Sequence, residues 1–444
     1  MSDLRSGLDA RYVVLGGGAG GSLLVRALAS AGVPGPVVLV DDGSTSIDER
    51  VWSSWRPLSD GPDPAVSTSW RRLLIATHQG ERDLGLRHHR YVAVRGRDLR
   101  AATDASLQML SGERLKAKAS AIREDGDGVV VSTTAGELRA DFMFDSIGLL
   151  PARPSTGGAW MSFEGWEVES AQPTFDPRSV RLMDFRVPQH DGVAFLHTLP
   201  WTSTHALVEF TRISGSTAPT SGESFLRTHL DRTVGADGYR VLRHEEGVLP
   251  LRPHVHRPGT ARCLAVGAAA GMVKASTGYG YQLMRQDSAR LAEQLRDGEE
   301  LSGLRRRPRH RAMDAVFLEL ALHDPATLAT SLELLFACNS ADLVLRFLSE
   351  ATTLNAEARL VSSLPVSPFV RAALRTLTQC SGPRPTQREQ DGNGAAGTVL
   401  STAPHPSPVV RGRRTFGPSM PLTIPAMVTT GHATRRGAGG VGSR

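Results

Sequence analysis

An apolar run, Tyr12-Val13-Val14-Leu15, passes through Gly16-Gly17-Gly18-Ala19-Gly20-Gly21 into Ser22-Leu23-Leu24. The pattern predicts a strand at 11–15, a glycine turn and a helix at 20–31. Pro36–Val40 predicts a second strand ending at Asp41-Asp42. Three more strands are expected around Leu115–Ala117, Val129–Ser132 and Phe142–Gly148, between turn signals at Glu124–Gly128 and Gly136. The character changes over 151–255. There Gly165–Glu169, Val180–Phe185, Val193–His197 and Ala206–Thr211 are short and β-like, separated by Pro188, Gly192, Pro200 and Ser203. They predict a mainly antiparallel sheet inserted into the first fold. An apolar strand returns at Cys263–Val266, meets small residues up to Gly271, and a helix is expected from about Tyr281 to Leu295. Residues 311–375 carry helical stripes, among them Val316, Phe317, Leu320 and Ala321, then Leu334 and Leu335, then Val344, Phe347 and Leu348. Such stripes usually pack a core, and a lipid-facing surface is the alternative. From Ser381 onward Gly, Pro, Ser, Thr and Arg dominate without periodicity, as in a disordered segment.

Composition narrows this picture only in part. At 444 residues, 40% hydrophobic and 22% charged, the chain has room for two or three units of ordinary size and a full core. It contains no apolar run of transmembrane length, and Met1-Ser2-Asp3-Leu4-Arg5 has no signal-like core. Cys263, Cys338 and Cys380 are too scattered for a disulfide framework or a zinc site, and no metal is expected. The net charge of +6 is accounted for by the eight arginines and two acids that follow residue 380. A basic tail of this kind does not make the folded part a nucleic-acid binder, although an anionic membrane surface would attract it.

The glycine turn carries the first chemistry. Gly16, Gly18 and Gly21 have G-x-G-x-x-G spacing, which serves a tight turn, backbone approach to a pyrophosphate and helix-on-strand packing. The following helix N-terminus offers free N–H groups to phosphates, and Asp41, 20 residues after Gly21, stands where a ribose hydroxyl is held. Trp52 and Trp55 are either a packed aromatic pair or a wall for a flat, apolar ligand. Glu209 lies within the apolar stretch Ala206-Leu207-Val208-Glu209-Phe210, where an acid is costly unless exposed, paired or useful. Under strict alternation it shares a face with Leu207 and Thr211; an edge-strand acid facing water is the alternative. Glu246 is a second candidate, or else a turn acid beside Arg243 and Arg252. Glu167 and Asp184 read as partners of arginines such as Arg186, and His197 and His205 as strand histidines.

Taken together, residues 10–375 resemble the flavin-dependent lycopene cyclases of bacteria and plants. The resemblance rests on the glycine turn with Asp41, on Asp48–Trp55, and on Gly165–Glu169 with Phe175-Asp176-Pro177 and Leu182–Arg186. It rests also on Ala206–Thr211, and on Glu246–Pro250 through Gly271–Tyr279. The chain departs from the family at Asp48, Val51 and Ala275, where Asn, Thr and Pro are usual, and at Phe210, which is acidic in the plant-type motif. Its second flavin turn, Gly267-Ala268-Ala269, lacks the acid of many flavoproteins, as do cyclases of this kind.

The resemblance implies an α/β, Rossmann-like FAD-binding fold of the two-dinucleotide-binding (glutathione-reductase-like) type, with an inserted antiparallel β substrate domain and C-terminal helices. Its parts would be a discontinuous FAD domain (1–150 and 260–310), a β-rich insertion (151–259), a helical part (311–380) and a tail (381–444). It implies FAD at Gly16, Gly18, Gly21, Asp41, Gly148, Gly267, Gly271, Met272, Lys274, Ser276, Thr277 and Gly278, active when reduced, with NADPH or NADH as reductant. Trp52, Trp55, Trp166 and Phe185 would face substrate, and Glu209 and Glu246 would be catalytic. The implied reaction is the redox-neutral, proton-initiated closure of lycopene ends to β-rings, an isomerisation. The implied setting is cytoplasmic, peripheral to a membrane and near other carotenoid-pathway enzymes. Two alternatives stay open: an FAD-dependent monooxygenase acting on an apolar substrate, and a non-catalytic flavin or carotenoid carrier.

Overall fold

The computed structural model describes residues 8–380 apart from 45–46, 153–157, 216–220 and 254. The tail at 381–444 therefore lies outside the described residues. In chain order the elements begin with β1 (Leu8–Leu15), α1 (Ala19–Ala31), β2 (Val37–Asp41), β3 (Val51–Pro57), β4 (Thr68–Trp70), β5 (Arg72–Thr77), β6 (Gly80–Gly85) and β7 (His89–Arg95). Next come α2 (Gly96–Met109), β8 (Glu113–Lys116), β9 (Ala119–Glu124), β10 (Val129–Thr133) and β11 (Gly136–Asp145). The insertion holds β12 (Ala159–Ser170), β13 (Val180–Asp184), β14 (Val193–Pro200), β15 (His205–Ser214), α3 (Glu223–Thr233) and β16 (Tyr239–Leu251). The chain returns through β17 (Cys263–Ala265) and α4 (Tyr281–Asp297), then ends in α5 (Pro308–His323), α6 (Pro325–Cys338), α7 (Ala341–Leu348), α8 (Leu354–Ser362) and α9 (Val366–Cys380).

The first sheet runs β8-β2-β1-β11-β10-β9, with β17 parallel to β11. Strand β1 is parallel to both β2 and β11. Its apolar run is continuous because both faces are covered. Tyr12 and Val14 join Leu24 and Leu28 of α1 and Leu291 of α4, while Val13 and Leu15 pack on the opposite side with Val129, Val131 and Met143.

The second sheet runs β16-β12-β15-β14-β13-β5-β6 and is antiparallel except at β13/β5. The last two strands at one side, β5 and β6, come from within residues 1–150, and β3, β7 and β4 form a third, three-stranded sheet. Residues 51–95 thus pair outside the dinucleotide sheet, although the sequence reading placed all of 1–150 in the nucleotide domain. No local signal distinguishes these strands, because partner choice is a tertiary matter.

One face of the second sheet carries α3: Trp166, Val208 and Phe210 pack there with Leu226 and Leu230. The other face meets the third sheet and the C-terminal helices. Leu199, Leu207 and Ile213 share a core with Trp55, Trp70, Leu318, Leu332 and Phe336. Phe317, Leu320, Ala321, Leu335, Val344, Phe347 and Leu348 are buried in it, so these stripes of 311–375 pack a core.

Candidate active site

At the glycine turn, Gly16 has φ 95°, and a Cβ on Gly21 would overlap the Gly16 carbonyl oxygen. The turn and the first helical turn therefore need glycine at both positions. Gly18 is the N-cap of α1, with no side-chain cap and open space where a Cβ would stand. The first N–H groups of α1 are free to meet an anion. The Asp41 carboxylate occupies the space that a side chain at Gly17 would need, 3.9 Å from Arg114 Nη1, and it accepts from the Gly43 N–H at 3.0 Å. A uncapped helix end beside an acid at the tip of β2 is a cradle of the right chemistry for a dinucleotide.

The chain returns to this cradle twice. At the end of β11 the fully buried Asp145 carboxylate accepts from the N–H groups of Ile147, Gly148 and Leu150 at 2.9, 2.9 and 2.7 Å, which folds the turn holding Gly148. After β17, a Cβ on Gly267 would stand 2.9 Å from Gly20 Cα, so the second turn lies backbone-on-backbone against α1. Gly271, with φ 72°, ends that turn; Met272 is buried beyond it and Gly278 lies against Met161. Thr277 Oγ1 is buried with no hydrogen-bond partner among the described residues.

Lys274 and Ser276 are placed otherwise than the resemblance implies. The buried Lys274 ammonium lies 2.8 Å from Asp314 Oδ1 and 3.4 Å from Glu350 Oε1, and Ser276 Oγ donates to Asp314 Oδ1 at 2.7 Å. Arg306 pairs with the same two acids. Burial pushes the Asp314 carboxyl up, but Lys274 and Arg306 outweigh it and hold it below its ordinary value. These two side chains therefore bind the turn to the C-terminal helices rather than facing a cofactor.

Glu209 lies on the face of the second sheet that meets this turn. Cross-strand pairing puts four residues in one row: His197 on β14, Glu209 on β15, Gly165 on β12 and Glu245 on β16. Glu209 shares its face with Thr211 as alternation predicts, and Thr211 Oγ1 donates to Glu209 Oε1 at 2.8 Å. Burial, followed by the charge of Glu245, pushes the Glu209 carboxyl up to about 8, against the pull of Thr211. His197 is buried, held at Nδ1 by the Leu182 carbonyl at 2.9 Å, and burial lowers its pKa to about 4. Tyr279 and Tyr91 complete the cluster. Their hydroxyls are 3.3 Å apart, Tyr91 also donates to Ser53 Oγ at 2.8 Å, and both feel the charge of Glu209. Burial holds both phenols above their ordinary range, Tyr279 at about 12.

The aromatic candidates separate. Trp55 meets Tyr279 edge-on at 4.9 Å and donates from its indole to Ser349 Oγ at 2.6 Å. Trp52, three residues earlier on a strand, points the other way, to Tyr281. Phe185 meets Phe195 on the Glu209 side of the second sheet. Trp166 does not: it lies on the α3 face, against His244 and under Arg227. Glu246 also misses the row, because it pairs with Glu164 in the register next to Gly165 and so faces the α3 side. The acid beside Glu209 is Glu245, which the sequence reading did not single out. With Glu245-Glu246 adjacent, only one can face inward, and only the register tells which. Glu167 and Asp184 pair with arginines as expected: Glu167 with Arg95 and Arg243, Asp184 with Arg186.

This arrangement is a flavoprotein fold, shared with solved structures of low sequence identity. A flavoprotein/dehydrogenase from Cytophaga hutchinsonii superposes with a TM-score of 0.56 at 12% identity, over 84% of this chain and all of that one. A geranylgeranyl bacteriochlorophyll reductase-like protein from Thermoplasma acidophilum gives 0.51 at 13%, over 84% and 99%. The chain belongs to the lycopene cyclase family, whose model, described as lycopene cyclase protein, matches residues 12–374. A lycopene beta-cyclase of Paracoccus sp. (strain N81106 / MBIC 01143) is 28% identical over 277 residues, covering 60% of this chain and 69% of that protein.

Proposed function

We propose that this protein is a lycopene β-cyclase, closing ψ-ends of lycopene to β-rings without net redox change. The observation that carries the reading is Glu209: a carboxyl that keeps its proton to about pH 8, on a sheet face that shares its core with Trp55, Leu199, Leu207, Phe185 and Ala275. Protonating an alkene needs such an acid, and the cation that follows needs a dry surround. Thr211 engages Oε1, so the transferable proton rides on Oε2. Its transfer to the terminal double bond leaves a tertiary cation at the neighbouring carbon and a carboxylate at Glu209. The next double bond along the chain closes the six-membered ring, and loss of a ring proton to the Glu209 carboxylate gives the β-ring and restores the acid. Trp55, Tyr279 and Phe195 shield the cation from water, and the phenols stay neutral throughout.

The glycine cradle with Asp41 is suited to FAD, with Gly16, Gly18, Gly21, Gly148, Gly267, Gly271, Met272, Thr277 and Gly278 around it. FAD, reduced by NADPH or NADH, would supply negative charge beside the cation. Contact with a membrane surface, from which an apolar polyene is drawn, is supported by an exposed apolar stripe. Val366, Val370 and Leu374 recur at helical spacing on α9, with Leu354 and Val361 on α8, and Arg371 and Arg375 beside them. Among the described residues no helix is long and apolar enough to cross a membrane. The second reading, an FAD-dependent monooxygenase, draws on structural neighbours such as a flavin-dependent brominase (TM-score 0.54, 11% identity, 84% of this chain and 100% of that one).

The test is turnover of lycopene in liposomes with FAD and reductant, without oxygen. A product of unchanged mass and blue-shifted absorption is expected, and lost with Glu209→Gln while FAD is retained. Turnover that requires oxygen and adds its atom would overturn the reading.

A further inference from the structure

Glu245 is a buried acid that the reaction as written does not use. It is 4% exposed, and its Oε1 is buried without a hydrogen-bond partner. Its Oε2 accepts from Arg243 Nη1 at 2.8 Å. The side chain leans over Gly165 toward Glu209: a Cβ on residue 165 would lie 3.0 Å from Glu245 Cγ and 3.3 Å from Oε1. Gly165 thus contributes no side chain between the two acids on β16 and β15, and the space over it is taken by Glu245 itself and by Leu207 Cδ1, 3.2 Å from where a Cβ would stand.

Resting on the cyclase reading, we propose that Glu245 is a positioning residue that keeps the proton on Glu209 by standing in the same row with its own carboxylate paired to Arg243. The two acids differ in their surroundings. Burial outweighs the pull of Arg243 and Arg50 and holds the Glu245 carboxyl above its ordinary value, but Glu245 has two guanidiniums to favour its charge where Glu209 has only a hydroxyl. The Arg243 pair favours charge on Glu245, and with it the proton on Glu209. The other groups around Glu209 carry no charge in the working range: His197 on β14 is neutral above about 4, and the phenols of Tyr91 on β7 and Tyr279 before α4 titrate far above it. Lys274, Arg306, Asp314 and Glu350, at the turn and C-terminal helices, pair among themselves. Glu167, near Glu245, is occupied by Arg95, Arg243 and His205. Glu245 is then the source of charge that Glu209 faces. The arrangement also leaves a fixed negative charge near the cation, where it is favourable.

The test is the pH profile of cyclisation by the FAD-loaded, full-length protein. Carboxylates two strand spacings apart, roughly 9.6 Å, shift one another by about one pH unit in a partly buried setting. The alkaline limb, set by Glu209, is expected to move down by about that much in Glu245→Gln and in Glu245→Met, which fills the space without charge. Glu245→Asp is expected to keep the limb within a few tenths of a unit. An unmoved limb in folded, FAD-loaded Glu245→Gln or Glu245→Met overturns the proposal. The same shift is readable without turnover, as the pH dependence of the denaturation midpoint that disappears on adding Glu209→Gln. If the wild-type protein does not cyclise, the function fails, and this second measurement still decides whether Glu245 sets the Glu209 titration.

Discussion

A carboxyl held protonated in the native state makes stability fall as pH rises. Glu209 titrates near 4.5 when unfolded and at about 8 in the fold. The native state therefore binds the extra proton between those values, and the stabilisation, complete below the lower, is lost through the upper. Between pH 6 and pH 8 the loss is two units at about 1.36 kcal/mol each, or about 2.7 kcal/mol. That is an upper figure, since the residue keeps some solvent exposure. Glu209→Gln removes this titration. The assay is urea denaturation of wild type and variant at pH 6 and pH 9. The wild-type unfolding free energy is expected to fall by about 2 kcal/mol more than that of the variant over this interval. At pH 9 the variant is the more stable protein relative to its own value at pH 6. Parallel pH dependences would refute the raised pKa, and with it the reason for choosing Glu209 as the acid.

Two further outcomes follow from the packing. Gly21→Ala puts a Cβ onto the Gly16 carbonyl oxygen and must displace the turn; FAD affinity, followed by flavin fluorescence, is expected to drop by about tenfold or more, equivalent to about 1.4 kcal/mol, with circular dichroism unchanged, and wild-type affinity would contradict it. Lys274→Met strips one cation from Asp314 and Glu350, and losing one partner of a buried pair destabilises by about 3–5 kcal/mol. Because Arg306 still pairs with both acids, the lower end is expected, seen as a lower denaturation midpoint and faster proteolysis within α5–α9; melting with the wild type would contradict it.

The dinucleotide half of the fold was legible because its signals are local. A glycine turn fixed by its own φ values, an apolar strand before it and Asp41 after it all lie within about 30 residues. Glu209 was legible for a related reason: an acid in an apolar strand stands out, and period-two alternation assigned its face, shared with Thr211. What stayed hidden depended on partner strands. Trp166 and Glu246 fall on the α3 face because of the β12 and β16 registers, which no local pattern gives. Lys274 and Ser276 look like cofactor ligands in sequence, yet their partners Asp314 and Glu350 lie about 40 and 76 residues away. The membrane-facing candidate shifted too: the stripes of α5–α7 are buried, and the exposed one is on α8 and α9.

The most direct test of proton-initiated cyclisation is the reaction run in deuterium oxide without oxygen. The deuteron delivered to the CH carbon of the terminal double bond stays there, while a different hydrogen leaves on ring closure. Each ring formed is therefore expected to carry one deuterium, on the ring carbon beside the one that bears the two methyls, and no added oxygen. A cyclic product without deuterium, or one that gains oxygen when air is admitted, would contradict a redox-neutral cyclase with Glu209 as its acid.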